Sequence, residues 1–265
     1  MKARFPTLIG LAVLVLVGVR PAYRPAAMQQ TPAATTAATV VATPLATGAP
    51  TSPAPTGPTS YLRAVHAASD AGTVDVYLNG QITLHTFKFG DSTPFLPVAP
   101  GSYTIDIRAA GSAVTDIPLY TGTIYLATGV SADLVALGLK AAPVTDKQAF
   151  QIGVFVTDRS PTKGRSRIEV INAAPNIGAI DVLQDNKPVL TQIAFNKAGN
   201  APLNIDPGTV HFALTATGKP ASVLVDLLNT TLAPDTITTF ILTPPTTTGQ
   251  AQTASTLNLT TTPLP

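Results

Sequence analysis

The side chains best suited to chemistry in this chain lie in one block that occurs twice. Residues 63–80 (RAVHAASDAGTVDVYLNG) and 169–186 (EVINAAPNIGAIDVLQDN) align at an offset of 106, with Ala67/Ala173, Ala68/Ala174, Gly72/Gly178, Asp75/Asp181 and Val76/Val182 identical. Asp75 and Asp181 are the only acidic residues kept in both copies. A strand carboxylate beside such a loop is expected to accept N–H groups of the preceding ASDAG or APNIG segment. The rival chemistry is calcium binding, with Asp70 joining Asp75 and Asn176 standing in for Asp70 in the second copy. The dense Asp/Asn/Gly loop that usually builds such sites is missing, so the structural reading is preferred. His66 is a base or ligand in principle. Standing alone, it is expected to bond across its loop, toward Asp75 or the backbone, with Asn172 doing the same in the second copy.

Other reactive constellations are not found in the sequence. His85 and His211 are isolated, whereas a zinc site needs several well-spaced ligands. No Gly-x-Ser-x-Gly elbow, His-Glu-x-x-His helix or glycine-rich phosphate loop occurs, and Glu169 is the single glutamate. A glycosidase pair would have to come from aspartates, and nothing picks out two. The sequence therefore assigns no catalytic, cofactor-binding or metal-ligating residue. Tyr61, Tyr77, Tyr103, Tyr120 and Tyr125 all fall in the first half, and Tyr77 and Tyr103 form the candidate binding face. Packing in the core and at sheet edges is the plainer reading of these tyrosines.

Short strands must position these residues. Segment 73–78 (TVDVYL) alternates, placing Val74, Val76 and Leu78 on one face and Asp75 and Tyr77 on the other. Asn79-Gly80 predicts a hairpin turn, since both residues tolerate the positive φ of type I′ geometry. Further strands are expected at 61–67, 81–89, 95–98, 103–109, 123–127, 132–139 and 150–157. The cycle restarts at 168–173 and 179–183, turns at Asp185-Asn186, and continues at 210–216, 222–228 and 237–243. The repeat adds one strand that composition would dismiss. Since the first copy ends on a strand near 150–157, residues 255–261 (STLNLTT) should form its counterpart.

Composition limits the remaining classes. The chain has 265 residues, 45% hydrophobic and 11% charged, and no cysteine, so disulfides and thiolate sites are excluded. Four of its 16 basic residues lie in the first 24, leaving 12 against 14 acidic ones beyond. That balance provides no basic surface for nucleic acid. Lys2 and Arg4 precede an apolar run of about a dozen residues at 8–19, the length of a signal-peptide core and short of the ~20 that span a bilayer. Cleavage and retention as an anchor both stand, and retention is the only membrane contact expected. Residues 25–62 carry no charge and are rich in Pro, Thr and Ala, which predicts an extended spacer.

The segment LRAVHAASDAGTVDVYLNG resembles the bacterial family called domain of unknown function 4397. The resemblance is carried by Val65-His66-Ala67, Asp70-Ala71, Val74-Asp75-Val76-Tyr77 and Gly80. APGSYTIDIRAAG at 99–111 is similar to the family's Pro-Gly-x-Tyr strand, and VFVTDRSPTKGRSRIEV looks like its inter-domain junction. Two copies span about 60–264. The second departs from the pattern, with Asn172 for the histidine, Pro175-Asn176 for Ser-Asp and Val210 for the tyrosine. The resemblance implies exported, tandem β-sandwich proteins without an assigned activity.

The expected architecture is all-β: two tandem immunoglobulin-like antiparallel β-sandwiches at 60–158 and 167–264, joined by a linker at 159–166. A signal peptide or anchor (1–27) and a disordered spacer (28–59) precede them. The expected protein is extracellular or held in the cell envelope, non-enzymatic, and structural or adhesive. The alternative is a binding module for a surface glycan or protein, acting through the first domain.

Overall fold

The computed structural model describes residues 16–17, 57–160, 162–201, 203–244 and 254–261. The expected leader and spacer lie outside these residues, apart from 16–17 and 57–59. Among the described residues there is no helix. The first domain comprises β2 (Ser60–His66), β3 (Val74–Leu78), β4 (Gln81–Phe87), β5 (Leu96–Val98), β6 (Gly101–Ala109), β7 (Tyr120–Leu126), β8 (Ser131–Leu137) and β9 (Gln151–Val156). The second comprises β10 (Ser166–Asn172), β11 (Ile180–Gln184), β12 (Lys187–Ile193), β13 (Lys197–Ala198), β14 (Leu203–Ile205), β15 (Gly208–Ala216), β16 (Lys219–Leu232), β17 (Ile237–Thr243) and β18 (Ser255–Thr261).

Each domain is a two-sheet sandwich. In the first, the outer sheet runs β7-β6-β3-β4 and the inner sheet β5-β2-β8-β9; β1 (Leu16–Val17) adds to the free edge of β7. In the second, the outer sheet runs β12-β11-β15-β16, and the inner sheet places β13 and β14 on β10, followed by β17 and β18. The two hairpin turns form as their residues demand, with φ of 50° and 76° at Asn79 and Gly80 and 48° and 63° at Asp185 and Asn186. Within these largely antiparallel sheets, each domain has one parallel pair, β2 with β8 and β10 with β17.

The expected last strand is present: β18 pairs antiparallel with β17 from Ile237↔Thr261 to Thr243↔Ser255. Strands β12, β13 and β14 were not expected. Yet β12 lies 106 residues after β4, so the reasoning that finds β18 also finds it.

The inner sheets are covered on both faces. Leu62, Ala132 and Ala136 point into the first core with Val74, Ile105 and Ile124, while Ile168, Val170, Phe240 and Leu242 point into the second with Val182, Phe212 and Leu214. The alternate residues Val65, Ala67, Val135, Leu137 and Phe155 form a third core with Ile171, Ala173 and Ile241. The domains thus pack inner sheet against inner sheet, as four layers. Val65 and Ile171, Ala67 and Ala173, and Val135 and Ile241 are repeat equivalents. The contact is therefore an internal version of an isologous dimer interface, in which both partners offer the same patch.

Both ends of the folded region lie at one end of these layers. Tyr61 pairs with Ser131, whose carbonyl accepts the Thr157 N–H at 2.9 Å, and Thr261 pairs with Ile237 beside Arg167. At the opposite end the loop before β9 meets the loop after β10, where the Asn176 N–H donates to Gln148 Oε1.

Candidate functional site

The duplicated chemistry-bearing residues all bond to main chain. Buried Asp75 accepts the Thr86 N–H at 2.8 Å and the Gly111 N–H at 3.1 Å. Asp181 accepts the equivalent Gln192 and Gly218 N–H groups, both at 2.8 Å, and the Thr217 hydroxyl at 3.0 Å. These partners correct the sequence expectation, since the carboxylates reach forward to β4 or β12 and to the next turn, rather than back to the preceding loop. The physical need is local. Thr86 and Gln192 have φ of 50° and 58° where the β3–β4 and β11–β12 registers slip, and the carboxylate satisfies the N–H that the irregular ladder leaves unpaired. Burial pushes the Asp181 carboxyl up, but the Gly218, Gln192 and Thr217 bonds outweigh it and hold the group below its ordinary value.

His66 and Asn172 share one role. His66 Nε2 lies 2.9 Å from the Gly72 carbonyl, and Nδ1 accepts the Ala68 N–H at 3.3 Å, which fixes the proton on Nε2. Asn172 Nδ2 donates to Gly178 at 2.9 Å, and its Oδ1 accepts the Ala174 N–H at 3.2 Å. A glycine at positive φ closes each loop, 73° at Gly72 and 84° at Gly178. Desolvation lowers the His66 pKa, against the Gly72 carbonyl and the charge of Asp91, so the ring is neutral near pH 7. Asp70 does not join Asp75; it accepts the Lys140 and Ala141 N–H groups at 2.9 and 3.1 Å. Among the described residues no group of three or more His, Asp or Glu side chains is placed to hold a metal.

The candidate face of Tyr77 and Tyr103 does not exist as one surface. In the β3–β6 register Tyr77 pairs with Asp106 and Leu78 with Ile105. Tyr103 therefore shares the face of Ile105 and Leu78, packs against the first core and donates to the Ala99 carbonyl at 2.5 Å. Tyr77 points outward, with the Arg108 guanidinium 5.7 Å from its ring centre. Alternation sets the faces within one strand, but only the register between strands decides whether residues of two strands share a face.

A polar cluster that sequence reasoning missed lies between the domains. Arg63, on β2, bonds Asp133 on neighbouring β8 through Nε at 2.5 Å and Nη2 at 3.0 Å, and both residues are buried. Asp133 also accepts the Thr157 hydroxyl at 2.8 Å. Across the interface, Arg63 Nη2 donates to Thr239 Oγ1 at 2.9 Å, and that hydroxyl donates to Glu169 at 3.4 Å. Arg63 and Glu169 are repeat equivalents, as are Asp133 and Thr239. The signal was therefore visible: the chain's one glutamate replaces an arginine at offset 106. Burial, then the charge of Asp133, raise the Glu169 pKa to about 7, against Thr157, Arg63 and Thr239. A cleft of about 160 Å³ opens beside it, lined by both domains, with Phe155, Thr157 and Asp158 on one side and Glu169, Ile171 and Leu190 on the other. Chemically this is a proton-binding group at a packed interface, bonded to the Thr239 hydroxyl.

Fold and site together define a tandem β-sandwich protein whose inner sheets form a pseudosymmetric contact. The domain of unknown function (DUF4397) family matches residues 60–183 and again 166–264. The chain belongs to that family, in two tandem copies. No curated protein matches it. Among solved structures, the C-terminal domain of AlgF from P. aeruginosa is similar at 18% identity, covering 37% of this chain and 100% of that one with a TM-score of 0.29.

Proposed function

We propose that the protein is exported and non-enzymatic, and that it serves as a structural or adhesive element of the cell envelope or its surroundings. The observation that carries this reading is the use made of the duplicated polar residues. His66, Asn172, Asp75 and Asp181 each bond backbone groups of their own domain, and Asp181 also the Thr217 hydroxyl. What the duplication preserves is thus a scaffold. The basic, apolar N-terminal segment and the uncharged spacer supply export and reach. Fractionation of cells producing the full chain tests this, with the protein expected in the envelope or medium. Accumulation in the cytosol would overturn the proposal.

A glycan-binding role for the first domain is the second reading, and the outer face of its outer sheet favours it. There Tyr77, beside Arg108, and the half-exposed Tyr125 point to solvent. A glycan array probed with the full chain, with and without calcium, separates this reading from a purely structural role.

A further inference from the structure

We propose that the end of the first domain opposite Ser60 and Thr157 is a docking site for a partner protein, which it engages through an aliphatic, acidic peptide segment. Two loops build this tip, residues 110–119 between β6 and β7 and 138–150 between β8 and β9. They carry Val114, Ile117 and Val144, which are 69%, 70% and 68% exposed, the three most exposed large apolar side chains among the described residues. Between the loops lies a pocket of about 200 Å³, walled by Ile117, Leu119, Val144 and Phe150. Lys140 is the single charged residue in its lining. At ~30 Å³ per water the pocket holds about seven water volumes, enough for one branched aliphatic side chain and an adjoining carboxylate. Apolar walls with one cation at the rim select that combination.

The tip is built before any ligand arrives. Arg108 donates to the Asp116 and Ala113 carbonyls, and the Asp116 carboxylate accepts the Ala113 N–H at 2.9 Å. Asp70 clasps the second loop through Lys140 and Ala141, and Asp146 accepts the Gln148 N–H at 2.8 Å. A preorganised rim spends little binding energy on ordering loops. The second domain lacks the first of these two loops: at that place β15 turns into β16 through Thr217 and Gly218 alone. Charge argues against an anionic bilayer as the occupant, because Asp116 and Asp146 offset Lys140 and Lys147 on the same loops, and a lipid surface calls for a basic cluster. The proposal takes from the proposed function only that the protein works by non-covalent contact.

The test is fluorescence anisotropy on the full chain with labelled twelve-residue peptides carrying Leu-Glu, Leu-Lys or Ser-Glu at the centre. The Leu-Glu peptide is expected to bind at least tenfold tighter than the others, and Ile117→Asp or Lys140→Glu each to weaken it at least tenfold, with the melting temperature unchanged. Lys140→Glu should also turn the preference toward the Leu-Lys peptide, a reversal that general unfolding cannot produce. Absence of binding at 1 mM peptide, or equal binding of all three, overturns the proposal. So does binding confined to phosphatidylcholine/phosphatidylglycerol vesicles and lost in Ile117→Asp, which would assign the tip to a membrane. A cytosolic protein in the fractionation experiment would leave the peptide result unaffected, so the two proposals fail separately.

Discussion

The two domains solve the same packing problem with different side chains. At the centre of the shared interface the first domain contributes Arg63 and Asp133, a buried ion pair in register across β2 and β8. The second contributes Glu169 and Thr239 in the equivalent register across β10 and β17. A symmetric pairing of two first domains would set the Arg63 of each against the Asp133 of the other, because Arg63 here meets Thr239, the repeat equivalent of Asp133. In the second domain a carboxyl and a hydroxyl stand in these places, and Thr239 gives Arg63 a third acceptor atom. The comparison teaches that duplication kept the apolar face of the contact and altered its polar centre.

The most damaging way to break this arrangement is to remove the arginine. Arg63→Met leaves Asp133 buried beside the Thr157 hydroxyl, with Arg159 as a nearby positive charge, and should cost about 3–5 kcal/mol in urea denaturation. An effect below about 1 kcal/mol would show that the pair is not buried in solution.

The carboxyl across the interface predicts a pH dependence of opposite sense to the usual one. Glu169 has a folded pKa raised to about 7 from 4.5, so its contribution is complete below the unfolded value and is lost as pH rises through 7. Stability should fall between pH 5 and 8 by at most about 3 kcal/mol, and Glu169→Gln should flatten that slope. A slope that survives in Glu169→Gln would place the titrating group elsewhere. Asp181 acts in the other direction: its lowered pKa stabilises the fold above its unfolded value near 3.8 and is lost as pH falls through the folded one.

Comparing the capping carboxylates gives a smaller effect. Asp181→Ala removes three bonds and Asp75→Ala two, so both should destabilise by about 1–3 kcal/mol, Asp181→Ala the more. Equal melting temperatures for the two variants would show that the Thr217 hydroxyl contributes nothing. Smallest is the exchange of the loop side chains. His66→Asn should change stability by less than about 1 kcal/mol, because Asn172 already makes the same two bonds. Asn172→His should cost more, since Asn172 also donates to the Ile193 carbonyl at 3.0 Å.

Elements with local signals were legible in the sequence, and so were those the repeat could transfer. Asn79-Gly80 and Asp185-Asn186 announce their turns because positive φ selects those residue types. The strand Ser255–Thr261 has no local signal and was found only by offset, while Lys187–Ile193, beginning with Lys-Pro, was passed over although the same offset predicts it. The candidate site was less legible, because it depends on which faces meet. Arg63 and Glu169 read as outward-facing charges in alternating strands, and only the second layer turns that outward face into an interior. The single glutamate was noted for the hydrolase it excludes. Its pairing with Arg63 at offset 106 was there to be read as well.

The parallel pairing of β2 with β8 has a mechanical consequence. The chain enters β2 at Ser60, and the 138–150 loop leaves the far end of β8, so a pull between Ser60 and the tip runs along both strands. Load in that direction shears six register pairs together, from Tyr61↔Ser131 to His66↔Ala136, and cannot peel them one at a time. A protein held at one end and gripped at the other would thus resist extension through a sheet covered on both faces, whose failure must be cooperative.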